Sequence, residues 1–123
     1  EDIVKEVRKF LTDRIACLNA KGFDNIILDP GFGFGKTLAH NYELMNGLEH
    51  FQDLDYPLLV GISRKSMIYK LLDNSPAEAL NGTAVLNTIS LLKGANILRV
   101  HDVREAYEAV KIFRALSGGE IDR

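Results

Sequence analysis

Residues 26 to 37 read Ile-Ile-Leu-Asp-Pro-Gly-Phe-Gly-Phe-Gly-Lys-Thr. This stretch is a short apolar run that ends in a carboxylate and continues into a loop with glycines at alternate positions: Gly31, Gly33 and Gly35. Glycine adopts positive φ without strain and lets the backbone lie close to a bound molecule. Phe32 and Phe34 cannot both be buried easily in so short a loop. We therefore predict a ligand loop in which at least one phenylalanine is free to pack against something planar.

The glycine spacing can be compared with two sequence patterns of nucleotide-binding loops. The Walker pattern requires a glycine five positions before Gly35, but that position is Pro30. The dinucleotide fingerprint G-x-G-x-x-G also fails, because the glycines are spaced two and two. Neither nucleotide interpretation is favoured, and a simple glycine turn with two core phenylalanines stays open at this point.

The composition is typical of a single domain over residues 1–123. Of the 123 residues, 46% are hydrophobic and 26% are charged, and the net charge is -2. This charge gives no global attraction to nucleic acid or to an anionic membrane. No apolar run approaches the length of a membrane span and the first residues do not resemble a signal peptide, so we expect a cytoplasmic protein. The single cysteine, Cys17, is expected to be a small buried hydrophobic residue.

The order of predicted elements is one helix followed by three strand–helix units. Apolar residues recur at three and four from Asp2 to Ala20, which predicts an amphipathic helix. Short apolar strands are predicted at 26–28, 58–62 and 97–101, with helices at about 37–51, 67–72, 75–93 and 102–116. Ser75 with Glu78, and Asp102 with Glu105, have the spacing of capping boxes. The predicted fold is α/β: a parallel sheet that forms part of a (β/α)8 TIM barrel, since a complete barrel requires eight units.

Polar side chains mark the carboxyl ends of all three predicted strands, where parallel α/β folds place their sites. They are Asp29, the run Ser63-Arg64-Lys65-Ser66, and Arg99 with His101. Each has a structural alternative. Asp29 could cap a turn, Lys65 could be solvated, and Ser63 or Ser66 could be a helix cap. Arg99 and His101 share one face of the third strand, and a guanidinium beside an imidazole favours an anion such as phosphate. We leave His40, Asn41 and Asn87 as surface or capping groups.

With these motifs in place, the sequence resembles the dihydropteroate synthase family, and in particular its C-terminal half. The resemblance covers essentially the whole chain and depends on three motifs in order: residues 29–36, 63–67 and 99–103. It implies a (β/α)8 barrel that joins 6-hydroxymethyl-7,8-dihydropterin diphosphate to 4-aminobenzoate in folate biosynthesis, and that is the target of sulfonamides.

The resemblance also implies roles for individual residues. Asp29 would accept hydrogen bonds from the pterin, and Lys65 would contact the pterin and the aminobenzoate region. Arg99 and His101 would hold the diphosphate and stabilise its charge as the C–O bond breaks. At the second substrate, Phe34 would pack beside the aminobenzoate ring, Gly33 would allow close approach and Ser66 would bind the carboxylate. The implied catalytic residues are Lys65, Arg99 and His101.

The sequence departs from the family because it holds only about half of the pattern. The family's N-terminal loops and the further strand-end Asp and Asn are absent, and the Mg²⁺ that the family places near the diphosphate has no evident ligands in this chain. We therefore expect a fragment that is inactive alone and that either self-associates as a homo-oligomer through its open sheet edges or closes the gap with its own helices. The alternatives are a non-catalytic half-barrel with residual pterin or anion binding, and a pterin-dependent methyltransferase relative.

Overall fold

Five α-helices accompany a short parallel sheet in the computed structural model of the chain, which describes residues 2–119. In chain order, the helices and strands are α1 (Ile3–Ala20), α2 (Leu38–Asn46), β1 (Leu59–Val60), α3 (Ser66–Tyr69), α4 (Leu80–Leu92), β2 (Ile97–Leu98) and α5 (Val103–Leu116). Two 3-10 helices, Leu48–Leu54 and Pro76–Glu78, follow α2 and precede α4. Among the described residues, no helix is both long and apolar enough to cross a membrane.

The sheet places the three predicted strands side by side. β1 pairs in parallel with β2, with Leu59 opposite Ile97. The first predicted strand is reduced to one parallel bridge between Leu28 and Leu58, closed by a 2.7 Å hydrogen bond from the Leu59 amide to the Leu28 carbonyl. The middle strand is thus bonded on both sides, and the carboxyl ends of all three strands lie at one edge. The α/β prediction with a parallel sheet is confirmed, although the strands are shorter than expected.

The core lies around this sheet, as the apolar strand patterns predict. Val60 and Ile62 are fully buried, and Leu28 and Leu58 are 3% exposed. The helices contribute further buried side chains to the same cluster, among them Leu11, Leu44, Met45, Met67, Ile68 and Leu86. The core thereby fixes the three strand ends relative to one another.

The helix at 37–51 is interrupted in the structure. α2 ends at Asn46, and the chain continues through Gly47 into the 3-10 helix. A Cβ atom on Gly47 would lie 2.7 Å from Cγ2 of Val4 on α1. The close approach of α1 therefore requires glycine here, and this contact was not visible in the periodicity.

The helix at 75–93 also differs from its prediction. Ser75 and Glu78 form the expected capping box, but the turn that it starts is a 3-10 helix, and α4 begins only at Leu80. The Arg64 guanidinium donates to the carbonyls of Pro76 and Ala77, and the Pro76 carbonyl also accepts a 3.2 Å hydrogen bond from the Ala79 amide. Arg64 thus shares acceptors that a continuous α-helix would use for its own amides.

Three smaller predictions are wrong. Cys17 is exposed, so it is not a core residue. Asp102 forms no capping hydrogen bond at the start of α5, because its carboxylate pairs with Arg64. Asn41 and Asn87 are 3% and 2% exposed and are therefore buried residues, not surface groups.

Candidate functional site

The loop after the first strand has the left-handed backbone that its glycines predict. Gly31, Gly33 and Gly35 have φ of 77°, 96° and 66°. The Asp29 carboxylate accepts a 2.9 Å hydrogen bond from the Gly31 amide through Oδ1, so the turn-cap interpretation of Asp29 is correct. No residue among 2–119 donates to its other oxygen, and the residue is exposed, which leaves that oxygen available to a ligand.

Two further side chains hold the loop in this shape. The Lys36 amine donates to the Gly31 carbonyl at 2.6 Å, and the Asn41 Oδ1 atom accepts from the Gly33 amide at 2.8 Å. Asn41 also donates from Nδ2 to the Thr37 carbonyl at 3.0 Å, which ties the loop to the start of α2. Sequence reasoning missed Asn41. Its position four residues after Thr37, the N-cap of α2, could have indicated that it faces the loop.

The two phenylalanines of the loop have opposite environments. Phe32 is 1% exposed and packs in the core, whereas Phe34 is 78% exposed. The prediction that one phenylalanine is available is confirmed. The Lys65 amine lies 5.2 Å from the centre of the Phe34 ring, which is within the range of a cation–π interaction.

Lys65 connects the loop to the end of β1. Its amine donates to the Phe32 carbonyl at 2.8 Å, and its Cδ lies 3.6 Å from where a Cβ on Gly33 would be. Burial lowers the pKa of Lys65, the charges of Arg99 and Lys36 lower it further, and the carboxylate of Asp29 opposes them. The charges of Asp29 and Arg99, at the two other strand ends, therefore both act on Lys65.

The second and third strand ends are joined by a direct hydrogen bond. Ser63 is 7% exposed, and its Oγ accepts from the His101 amide at 3.2 Å. Ser63 is thus a cross-strand link and not a helix cap. The Arg99 guanidinium and the His101 ring are exposed and make no hydrogen bond to residues 2–119. Two adjacent donors at this edge are available to an anion.

Ser66 is the first residue of α3. Lys65 is the N-cap of this helix, and no side-chain hydrogen bond caps it.

The structure places all the site residues that were singled out from the sequence at one edge of the sheet. Sequence reasoning missed Arg64, which lies between Ser63 and Lys65 and pairs with Asp102 across two strand ends. Opposite charges after neighbouring parallel strands were the available signal.

A metal site is not formed by these residues. Among residues 2–119, no group of three or more His, Cys, Asp and Glu side chains is arranged to hold a metal ion. Near Lys65 the described residues supply one carboxylate, Asp29, among the cations of Arg99 and Lys36. This donor set does not fit Mg²⁺, which prefers several oxygen ligands.

The sequence pattern of pterin binding enzymes matches residues 1–101. This chain belongs to the pterin binding enzyme family. The match includes the Asp29 loop, the Ser63–Ser66 run, Arg99 and His101, so the family assignment and the site geometry concern the same residues.

Proteins and solved structures similar to this chain include dihydropteroate synthases. The Escherichia coli (strain K12) enzyme is 44% identical over 117 residues, which are 94% of this chain and 42% of that protein. The Yersinia pestis enzyme, in a sulfonamide drug complex, superposes with a TM-score of 0.92 at 42% identity, over 96% of this chain and 44% of that one.

Two structures of the Thermus thermophilus enzyme are also similar. The complex with 6HMPPP has a TM-score of 0.90 at 40% identity and covers 96% of this chain and 47% of that one. The complex with 4-aminobenzoate has a TM-score of 0.89 at 40% identity and covers 94% and 46%. This chain therefore spans less than half the length of these relatives, and its fold is part of a TIM barrel. Which half it represents stays a prediction.

Proposed function

We propose that this chain supplies one side of the active site of a dihydropteroate synthase. The observation that carries the proposal is the position of Lys65, whose amine donates to the Phe32 carbonyl of the loop at the sheet edge where Asp29 and Arg99 follow the two neighbouring strands. A carboxylate, two cations and an exposed aromatic ring thus meet at one sheet edge. The dihydropteroate synthase relatives, with 40% and 44% identity, favour the synthase over a methyltransferase relative.

The pterin is proposed to bind between Asp29 and Lys65. A pterin ring presents adjacent N–H donors, and the unused oxygen of Asp29 is an acceptor at the strand end. Lys65 is held by the Phe32 carbonyl at 2.8 Å, so its amine is preorganised beside this position. The Thermus relative's complex with 6HMPPP supports a ligand of this class.

The diphosphate is proposed to bind Arg99 and His101. In the reaction, the amine nitrogen of 4-aminobenzoate forms a bond to the pterin methylene carbon while the C–O bond to diphosphate breaks. The electron pair of that bond leaves with the diphosphate, and the amine loses one proton to water. Arg99 and His101 stabilise the charge that grows on the leaving oxygen, and the protein supplies no nucleophile.

The 4-aminobenzoate is proposed to lie beside Phe34. The exposed ring of Phe34 offers an apolar face, and Gly33 lets the substrate approach the backbone. Ser66 would bind the carboxylate through its hydroxyl. α3 is one turn long, so the hydroxyl and not a helix dipole is the reason for this assignment. The Thermus relative's complex with 4-aminobenzoate supports this substrate class.

Magnesium, a homo-oligomer and a cytoplasmic location stay predictions from the resemblance and the sequence. Because the described residues do not fit Mg²⁺, we derive no step through the metal. A second candidate function is a half-barrel that binds pterin or anions without turnover. The span of less than half of each relative favours it for the chain in isolation.

Calorimetric titration of the chain with inorganic diphosphate and with 6-hydroxymethylpterin tests the proposed site. Arg99→Ala should abolish diphosphate binding, and Asp29→Asn should abolish pterin binding. The matched controls are Arg104→Ala and Asp24→Asn, which change exposed residues that have no role in the proposed site and should leave both affinities unchanged. Equal diphosphate affinity in Arg99→Ala and Arg104→Ala would overturn the anion assignment.

A further inference from the structure

Arg64 lies inside the run that carries Lys65 and Ser66, yet its own side chain turns away from the proposed substrates. Its φ is 53°, in the left-handed region that non-glycine residues avoid. A residue held in this conformation must be fixed by its surroundings. The hydrogen bonds of Arg64 show what fixes it.

The guanidinium of Arg64 bonds two segments at once. Nε and Nη2 each donate to Asp102 at 3.0 Å, one to each carboxylate oxygen, which is the two-pronged geometry that arginine alone provides. Nη1 donates to the carbonyls of Pro76 and Ala77 at 2.7 and 3.1 Å. The paired side chains are only 25% and 22% exposed, so this pair is largely shielded from water.

The backbone of Arg64 is anchored independently. Its amide donates to Oγ1 of Thr83 at 3.0 Å, and that hydroxyl donates to the Ala79 carbonyl at 2.7 Å. Thr83 is 2% exposed, so α4 provides a rigid support. The loop that carries Lys65 is therefore attached both to α4 and to the end of β2.

Asp102 directly follows His101 in the chain. The Arg64–Asp102 pair and the bond from the His101 amide to Ser63 Oγ are therefore two parallel connections between the same two strand ends. On one side lie Lys65 and Ser66, and on the other lie Arg99 and His101. Together the two connections fix the distance between the group that contacts the pterin and the groups that hold the diphosphate.

We propose that Arg64, paired with Asp102, is a positioning residue that sets the separation of Lys65 from Arg99 and His101. The proposal rests on the proposed function for its kinetic consequence, but its geometric consequence is independent. Without the pair, the backbone at Arg64 keeps its amide bond to Thr83, but the side-chain connection from Arg64 to Asp102 is lost and the two strand ends can move apart. Lysine cannot replace Arg64, because a single ammonium cannot bond both oxygens of Asp102 and both carbonyls.

The kinetic test uses a hybrid in which residues 1–123 replace the matching segment of the Escherichia coli relative, so that the barrel is complete. Arg64→Lys should lower kcat by about tenfold to a hundredfold, as expected when reacting groups are displaced by about an ångström, with a smaller change in KM for 4-aminobenzoate. Asp102→Asn should lower kcat by the same factor. The double variant should be no worse than either single variant, because each single substitution already removes the same Arg64–Asp102 connection. Arg104→Lys makes the same substitution in an exposed arginine–glutamate pair on α5 and serves as the matched control.

The geometric test uses hydrogen exchange of the His101 amide in the chain itself. Arg64→Lys should speed exchange at His101 by about tenfold or more while the α4 amides keep their protection, because the bond to Ser63 opens locally. Unchanged His101 exchange and unchanged kcat would overturn the proposal. Faster exchange throughout α4 would also overturn it, since Arg64 would then serve general stability. A hybrid without turnover would contradict the proposed function, whereas the exchange result would still decide the role of Arg64.

Discussion

Phe32 and Phe34 lie two positions apart in one loop. In a β-strand their side chains would face the same side, but the glycines around them have positive φ and turn the backbone. One ring enters the core and the other faces solvent above Lys65. Composition could predict that one ring is exposed, but not which one, because the direction of each side chain depends on left-handed glycines at alternate positions. The same limit applies to Asn41, whose role depends on where the loop folds back.

Alanine substitutions separate the roles of the two rings. Phe32→Ala should lower the free energy of unfolding by about 3–5 kcal/mol, because it leaves a cavity in the core. Phe34→Ala should cost under about 1 kcal/mol, since it removes an exposed ring and one cation–π contact. Urea denaturation measures both values. A larger loss for Phe34→Ala than for Phe32→Ala would contradict the assignment of core and substrate faces.

Lys65 has a pKa below the usual lysine value, chiefly because it is partly buried. The folded chain therefore loses this proton at lower pH than the unfolded chain, so the contribution of Lys65 to the free energy of unfolding rises as pH increases between the two values. Arg99→Ala removes a cation that lowers the pKa and should raise it, whereas Asp29→Asn should lower it further. NMR titration of the Lys65 side chain gives these shifts. Opposite signs would show that the strand ends do not converge at Lys65.

At the scale of single elements, α3 and α4 meet at Gly82. A Cβ atom there would lie 2.4 Å from Cγ2 of Ile68 and 3.3 Å from Cδ1 of Leu72. An Asn-Gly pair usually marks a turn, yet Asn81 and Gly82 both lie inside α4. Packing against Ile68 therefore requires glycine at position 82, and the local sequence does not predict this contact.

Gly82→Ala is therefore expected to destabilise the chain, although alanine is the better helix former by about 1 kcal/mol. Overpacking against α3 should cost about 1–3 kcal/mol in the free energy of unfolding. In an Ile68→Ala background, where the space is open, the same change should be neutral or stabilising. Thermal or urea unfolding of the four chains measures the coupling, and equal effects in both backgrounds would refute the contact.

Acid unfolding tests the Arg64–Asp102 pair that links the ends of β1 and β2. The Arg64 guanidinium holds the pKa of Asp102 below its usual value, mainly through their hydrogen bonds. As pH falls, the unfolded chain takes up this proton first, so the stabilisation is present above the usual aspartate pKa and is lost as pH falls through the lower folded value. Asp102→Asn should flatten this part of the acid unfolding profile, and the exposed Asp24→Asn should not. An unchanged profile for Asp102→Asn would contradict the pairing.

For the elements as a whole, hydrophobic periodicity predicted the positions of α1 and α5 and the three parallel strands. It could not predict the ends of the other helices, because these depend on contacts between distant residues. Gly47, at the end of α2, packs against Val4 of α1, and the Arg64 guanidinium donates to carbonyls in the turn before α4. The gathering of polar residues at one sheet edge was predictable, because each predicted strand ends in a polar residue that a buried strand would not tolerate. The hydrogen bond from the His101 amide to Ser63 was not predictable, because it depends on the register of two strands.

At the scale of the whole molecule, the sheet ends on both sides at strands with one bonded neighbour among the described residues. Apolar side chains near the first of these edges are exposed, with Phe23 and Ile27 both at 56%. Open edges of this kind pair with further strands. We therefore expect the chain alone to self-associate. Because it spans less than half the length of the Escherichia coli relative, we also expect it to release no diphosphate. Sedimentation that shows a monomer at high concentration, or turnover close to that of a full-length relative, would contradict this expectation.

Diphosphate release by the hybrid with a completed barrel tests the central claim, that Arg99 and its neighbours form the anion side of a synthase site. The hybrid and its Arg104→Ala control should release diphosphate from the pterin substrate only when 4-aminobenzoate is present, and Arg99→Ala should reduce the rate by about a hundredfold or more, as for loss of a charge-stabilising group. Release by Arg99→Ala at the rate of Arg104→Ala would contradict the account.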